Sequence, residues 1–142
     1  MIRLRFNTLA GTDLGILGPA PYFRIEGPLL QEGPDRTVVG RYADHHWELD
    51  GRYVSSFECA ERVHLQFAGA SGELSEAYGP FQQVRFPNGS CYADRVLMAE
   101  LLEDGHWIHR GSRTRWSTLL MRPAEGETRL KPRSGRDGWR AG

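Results

Sequence analysis

The chain has 142 residues, and its 18 lysines and arginines are balanced by 18 aspartates and glutamates. This zero formal net charge excludes a whole-protein field that would attract nucleic acid or a membrane surface. Apolar residues make up 39% of the chain, and no run of them approaches the ~18 that a membrane-spanning helix needs, so we expect a soluble globular protein. Cys59 and Cys91 are too few for a disulfide framework, which favours a reducing cytoplasm.

The first predicted element is a strand, because Ile2, Leu4 and Phe6 alternate with polar residues. Residues 8–21 are rich in glycine and proline and predict a loop. Short apolar segments separated by turn residues follow and are typical of an antiparallel sheet. These segments are Tyr22–Glu26, Leu29–Gln31, Thr37–Ala43, Trp47–Leu49, Tyr53–Cys59 and Val63–Ala68.

Residues 69–79 predict a linker with one helical turn at Glu73–Ala77. Beyond the linker, Asn88-Gly89 predicts a two-residue hairpin of type I′, in which both central residues need positive φ. A second series of predicted strands comprises Phe81–Phe86, Cys91–Tyr92, Arg95–Glu103, His106–His109 and Thr114–Arg122.

One segment of this second series is ambiguous. Residues 93–103 are strong helix formers, and Gly105 is a candidate C-cap. The same segment aligns with Thr37–Ala43, which has the pattern of a strand. Because tertiary context often overrides helix propensity, we predict a strand over Arg95–Glu103.

That alignment belongs to an internal similarity that predicts two related units. Residues 21–25 align with 80–84 at an offset of 59, and His46-Trp47 aligns with His106-Trp107 at an offset of 60. We therefore predict an all-β domain over residues 1–122, an antiparallel β-sandwich or partly open barrel with units at about 21–68 and 80–122. Residues 123–142 predict a flexible, disordered, arginine-rich tail.

Trp47 and Trp107 occupy matched positions after predicted hairpin turns. Two matched indole rings could stack on a flat ligand, because they offer broad and rigid contact area. The alternative is that both rings close the ends of the sheet core.

Four histidines are the only concentration of metal-competent side chains: His45, His46, His106 and His109. A zinc site needs three or four such groups converging on one ion. The same turns, with Asp44 or Asp104, could serve an enzyme. Exposed turn histidines are the alternative, and the sequence predicts neither a cofactor nor a catalytic residue.

The dipeptides Asp35-Arg36 and Asp94-Arg95 precede matched predicted strands. Such pairs commonly stabilise turns, since the carboxylate accepts backbone N–H bonds. Arg36 and Arg95 could instead bind a carboxylate or phosphate, because guanidinium pairs with oxyanions in a bidentate manner.

Three short motifs occur in the order Gly40-Arg41, Ser55-Ser56 and Asn88-Gly89. In this order, and over residues 22–121, the chain is similar to the fork-head-associated phosphothreonine-binding domain. That resemblance implies that Arg41 and either Ser55 or Ser56 contact phosphate. Glu58 or Cys59 stands where that family has a histidine.

Taken together, the sequence predicts a small binding or protein-interaction module without an assignable catalytic activity. A phosphothreonine-peptide-binding domain and a metal-binding protein or enzyme are the alternatives. We expect a protein or peptide partner, with self-association through sheet edges as a further option, and no nucleic acid or membrane partner.

Overall fold

The computed structural model describes residues 1–11 and 13–124. The predicted tail falls outside the described residues from residue 125 onward. The described part of the chain contains fifteen strands. These are β1 (Ile2–Thr8), β2 (Leu14–Ala20), β3 (Phe23–Glu26), β4 (Leu29–Glu32), β5 (Thr37–Ala43), β6 (His46–Leu49), β7 (Arg52–Cys59), β8 (Val63–Ala68), β9 (Tyr78–Phe81), β10 (Val84–Pro87), β11 (Ser90–Ala93), β12 (Val96–Leu101), β13 (Trp107–His109), β14 (Arg115–Trp116) and β15 (Thr118–Pro123).

The strands form one curled antiparallel sheet with the shape of a half-barrel. The predicted all-β class is confirmed, and the curled single sheet corresponds to the partly open barrel of the two predicted architectures. Its order is β14-β13-β12-β11-β10-β7-β6-β5-β4-β3-β15-β8-β9, and off this path β1 pairs with β7 and β2 pairs with β1. The part of the chain that the structure describes has no helix capable of spanning a membrane.

Alternation of apolar and polar residues forms the core as the sequence predicts. In β1, Ile2, Leu4 and Phe6 are buried while Arg3 and Arg5 are exposed. Successive side chains of a strand point to opposite faces, so each strand contributes every second residue to the interior. The buried apolar residues form one contiguous cluster that runs along the concave face of the sheet.

The strand prediction for Arg95–Glu103 is confirmed, because Val96–Leu101 forms β12. Its helix formers are overridden by pairing with β11 and β13. Two other predictions are wrong. The segment Glu73–Ala77 forms no helical turn, and the predicted loop 8–21 contains β2, which has only β1 as a partner and so tolerates proline as an edge strand.

The tight turns are built largely from aspartate. Asp44-His45 and Asp94-Arg95 have positive φ at both residues, as a type I′ turn requires. The Asn88-Gly89 hairpin differs from its prediction: Asn88 has φ 55°, whereas the φ of Gly89 is not in the left-handed region. Aspartate and asparagine tolerate this conformation because their short side chains hydrogen-bond to the local backbone.

The two halves of the chain repeat one pairing scheme. β1 pairs with β2 and β7, and β8 pairs in the same way with β9 and β15. β7 pairs first with β6 and then with β10. The segment formed by β14 and β15, which only Ser117 separates, pairs first with β13 and then with β3. Each half therefore donates one long strand that continues into the sheet of the other half.

Candidate functional site

A cleft on the outer face of β3 and β15, which we call the arginine cleft, is the candidate ligand site. It encloses about 570 Å³. Its charged lining residues are Arg24, Glu26, Arg36 and Arg122, so three arginines and one glutamate give a formal charge of +2. The other lining residues are Tyr22, Ala68, Gly69, Ala70, Gly72, Leu74, Ser117, Thr118 and Leu120.

Strand β15, which runs along the cleft, has buried residues on both of its faces. Leu119 and Met121 point into the core, while Thr118 and Leu120 point outward and are still buried. The segment after β8 turns back alongside that strand, where Ala68 and Leu74 form a bridge, and supplies Ala70, Gly72 and Leu74 to the lining of the cleft. Its Ser75 hydroxyl accepts a hydrogen bond from the Phe67 N–H at 2.9 Å.

Tyr22 forms the opposite wall. The Gly33 N–H donates to the Tyr22 carbonyl at 2.9 Å, and the Tyr22 ring lies where a Gly33 side chain would be. This contact places the turn before β5 at the cleft, and that turn supplies Arg36, whose φ is 62°.

Arg24 is the least solvated cation of the cleft. Its side chain is 14% exposed, and its Nη2 lies 3.6 Å from Glu26 Oε1, beyond hydrogen-bonding distance. Its Nε is buried and has no hydrogen-bond partner among the described residues. Opposite it on β4, Gln31 is buried, and its Oε1 likewise has no partner among these residues.

A second depression of about 380 Å³ lies beside the Asp44-His45 turn. It brings together two of the predicted site residues, Arg41 and His46. Asp44 and Glu48 also line it, so its formal charge is −1 with histidine neutral, and Leu9 and Tyr53 complete the wall. His46 Nδ1 lies 3.0 Å from the Asp44 carbonyl oxygen.

Both tryptophans are fully buried, so neither ring has a face open to a ligand and the predicted stacking surface is not formed. They belong to the core, as the alternative interpretation held. Trp47 packs edge-on against Phe57 at 5.0 Å, and its Nε1 donates to the Asn88 carbonyl at 2.6 Å. Trp107 packs against Phe86, and its Nε1 has no partner among the described residues.

The four histidines are not gathered into one site. His46 lines the depression beside its own turn, whereas the His109 ring contacts Phe67 and Tyr78 at 5.4 and 4.6 Å. His106 lies next to Asp104. Within residues 1–11 and 13–124, no three His, Cys, Asp or Glu side chains lie close enough to hold a metal ion.

The predicted arginines are separated as well. Arg36 lines the arginine cleft, Arg41 lines the depression beside His46, and Arg95 lines neither. Of the two serines that the fork-head-associated resemblance offers as partners of Arg41, Ser56 lines a third depression with Arg5 and Glu58, and Ser55 lines neither that depression nor the one beside His46. That resemblance stays a prediction.

Sequence reasoning missed Arg24 and Arg122, the two arginines that the cleft takes from strands. A signal was present, because each lies between or beside apolar residues of a strand and so belongs to its outer face. Nothing in the sequence indicated that this face would be covered. The cleft also depends on the turn of the segment after β8, which supplies Leu74 to its lining.

Burial also governs the two thiols. Desolvation raises the pKa of Cys59 to about 11 and raises that of Cys91 further. Both are free and buried, so neither supplies a thiolate nucleophile near neutral pH.

No family model, curated protein or solved structure is significantly similar to this chain.

Proposed function

We propose that the chain is a small non-catalytic binding module and that the arginine cleft is its ligand site. The observation that carries this proposal is the cleft itself. Its volume of about 570 Å³ lies within the range of roughly 300–1,000 Å³ that is usual for ligand pockets. It combines an apolar floor at Leu120 and Leu74 with several convergent polar groups, the combination by which pockets fix and orient a ligand.

We favour a protein or peptide as the partner, with one of its side chains bound in the cleft. We also favour a cytoplasmic location. The free edge of β2 offers a separate surface for self-association, where Leu14 and Ile16 are 58% and 54% exposed. Static light scattering would test that interaction. It is independent of the cleft, because neither residue lines it.

The proposal is tested by plugging the cleft. Ala68 lies on its floor, so Ala68→Trp should fill it, and ligands selected from a peptide and metabolite library with the wild-type chain should no longer bind. The matched control is Asn7→Trp. Asn7 has the corresponding place on β1 and lines the third depression. Ligands that bind equally to wild type and to Ala68→Trp would place the site elsewhere.

We also propose that the fold arose by duplication of a seven-strand unit, with units at about 2–59 and 63–123. These units begin one hairpin earlier than the sequence similarity suggests. In support, Leu4 and Phe6 correspond to Leu65 and Phe67 through equal pairing with the long strand of each half, and Ile2 corresponds to Val63 through equal pairing in the first hairpin of each half. The offset is 61 residues there, so the first part of the sequence alignment is displaced by two residues.

The β-bulges support the same duplication. Leu30 pairs with Gly40 and the next pair skips Val39, and Cys91 pairs with Ala99 and skips Met98 in the same way. Sequences homologous to this chain would test it. If the two bulges are copies of one ancestral bulge, homologues should prefer the same residue types at 38–40 as at 97–99. Unrelated residue preferences at the two bulges would count against duplication.

A further inference from the structure

We propose that the arginine cleft binds a doubly charged oxyanion of the phosphoryl type, carried on the ligand and held by Arg24, Arg36 and Arg122. This inference rests on the proposed function and adds the chemical class of the ligand. It is carried by the charge of the cleft and by a difference between the two halves of the molecule.

That difference is found at equivalent positions. Arg85 on β10 is equivalent to Arg24 on β3, because each is paired with a residue of the long strand next to it. The partner of Arg85 on β7 is Glu58. Glu58 also forms an ion pair with Arg5 at 3.4 Å. In that half, the acid therefore lies between Arg5 on one neighbouring strand and Arg85 on the other. In the cleft, Leu120 stands where Glu58 would be. The residue opposite Arg24 on the long strand is therefore apolar, and the acid of the cleft is Glu26, whose Oε1 lies 3.6 Å from Arg24 Nη2.

Arg24, which has an apolar residue opposite it, is also the least solvated cation of the cleft. Arg24 is 14% exposed, and its nearest acid, Glu26, is 48% exposed and lies 3.6 Å away. A mostly buried charge is costly unless it is paired and hydrogen-bonded. An oxyanion in the cleft would supply both the charge and the acceptors, because arginine offers a fork of donors that matches carboxylate and phosphate oxygens.

A second arginine is placed to share the same ion. Arg24 is directly opposite Leu120, and Arg122 is two residues further along β15 on the same face. Such diagonal neighbours are about 7–8 Å apart in an antiparallel sheet, within reach of long side chains. The Arg24 and Arg122 guanidinium groups repel each other at this separation, and an anion bound between them would attract both. Arg36 approaches from the turn beside Tyr22.

The lining charge favours a phosphoryl group over a single carboxylate. The formal charge of +2 matches a phosphate monoester, which carries about −1.5 to −2 at pH 7. One carboxylate would leave the lining positive. The depression beside His46 provides a contrast, because its formal charge of −1 repels the same ligand.

Isothermal titration calorimetry of the full chain at constant ionic strength tests the inference, with inorganic phosphate, acetate and a phosphoserine peptide as probes. We expect phosphate or the phosphopeptide to bind at least tenfold more tightly than acetate. The stronger of these two probes identifies the source of the phosphoryl group. Arg24→Gln should weaken binding at least tenfold, and the matched variant Arg85→Gln, at the equivalent position, should leave it within twofold of wild type.

Arg36→Gln is a second variant, at an exposed residue, and it should weaken binding even where Arg24→Gln unfolds the chain. Equal binding of phosphate and acetate, or phosphate binding that neither Arg24→Gln nor Arg36→Gln weakens, would overturn the inference. Failure of the proposed function looks different. A neutral ligand that Ala68→Trp excludes would preserve the binding module and overturn the oxyanion alone, whereas binding insensitive to Ala68→Trp would overturn both.

Discussion

Gly18 and Gly79 stand at the same place in the two halves, each at an irregularity in the hairpin that flanks the long strand. Gly18 has φ 97° and Gly79 has φ 109°. A Cβ added to Gly18 would lie 2.8 Å from the Ile2 carbonyl oxygen, and one added to Gly79 would lie 3.1 Å from that of Val63. Since these oxygens belong to the backbone of β1 and β8, neither can move aside cheaply.

Gly18→Ala and Gly79→Ala should therefore each lower the free energy of unfolding by at least about 2 kcal/mol, combining a left-handed backbone penalty of about 1–2 kcal/mol with a steric clash. Urea denaturation measures the loss. Gly72→Ala is the matched control, because Gly72 has φ 90° but no atom within 4 Å of an added Cβ. It should lose only the backbone penalty. Equal losses in all three variants would show that the close carbonyls are irrelevant.

The turn at Asp44-His45 predicts a stabilising substitution. His45 has φ 66°, a conformation that glycine adopts without a steric penalty. His45→Gly should raise the free energy of unfolding by up to about 1 kcal/mol, because the relief of backbone strain exceeds the added flexibility of the unfolded chain. His46→Gly, one residue further and inside β6, should instead lower it by roughly 0.5–1 kcal/mol. Thermal unfolding of the two variants should thus shift in opposite directions.

Local sequence patterns were sufficient to predict most strands and turns, but they did not predict the ligand site. The alternation of Ile2, Leu4 and Phe6 predicts both the strand and its buried face, because period-2 burial is a local property of an extended chain. The cleft instead depends on two long-range facts. One is the fold-back at Ser75, and the other is that Leu120 stands where the other half has Glu58. Equivalence of those two positions is visible only in the strand pairing.

The two core tryptophans differ in hydrogen bonding although their positions match. Trp47 Nε1 donates to the Asn88 carbonyl, whereas Trp107 Nε1 is buried without a partner among the described residues. Trp47→Phe removes volume and breaks the hydrogen bond to the Asn88 carbonyl, while Trp107→Phe removes volume together with a buried donor that has no acceptor among the described residues. An unsatisfied buried donor costs about 1–3 kcal/mol, and Trp107→Phe removes that cost whereas Trp47→Phe loses a formed hydrogen bond, so Trp47→Phe should be the more destabilising by about that amount.

Urea denaturation of both phenylalanine variants gives this difference directly. The comparison controls for ring volume, since both sites lose the same atoms from full burial. If Trp107→Phe proves the more destabilising, the partner of Trp107 Nε1 has to be sought elsewhere, and the two indole sites are less alike than their pairing implies.

The low pKa of Asp104 makes the free energy of unfolding decrease as the pH falls into the acid range. Its carboxylate accepts the His106 backbone N–H at 3.0 Å and pairs with Arg115, and its pKa is lowered below the ordinary 3.8, first by that backbone hydrogen bond. Because the folded-state pKa is the lower one, this contribution is present above about pH 4 and is lost as pH falls through the folded-state pKa. Asp104→Asn should therefore reduce the free energy of unfolding at pH 7 and converge with wild type in strong acid.

Carbon-detected NMR titration of the Asp104 carboxyl separates the Arg115 ion pair from the His106 hydrogen bonds as causes of its low pKa. In Arg115→Gln, which keeps the His106 N–H bond, the pKa should rise only part of the way toward 3.8, because the ion pair is the smaller contribution. This exposed pair is screened by salt, so 0.5 M KCl should likewise leave most of the depression in place. Full recovery of the ordinary value in Arg115→Gln would assign the low pKa to the guanidinium instead.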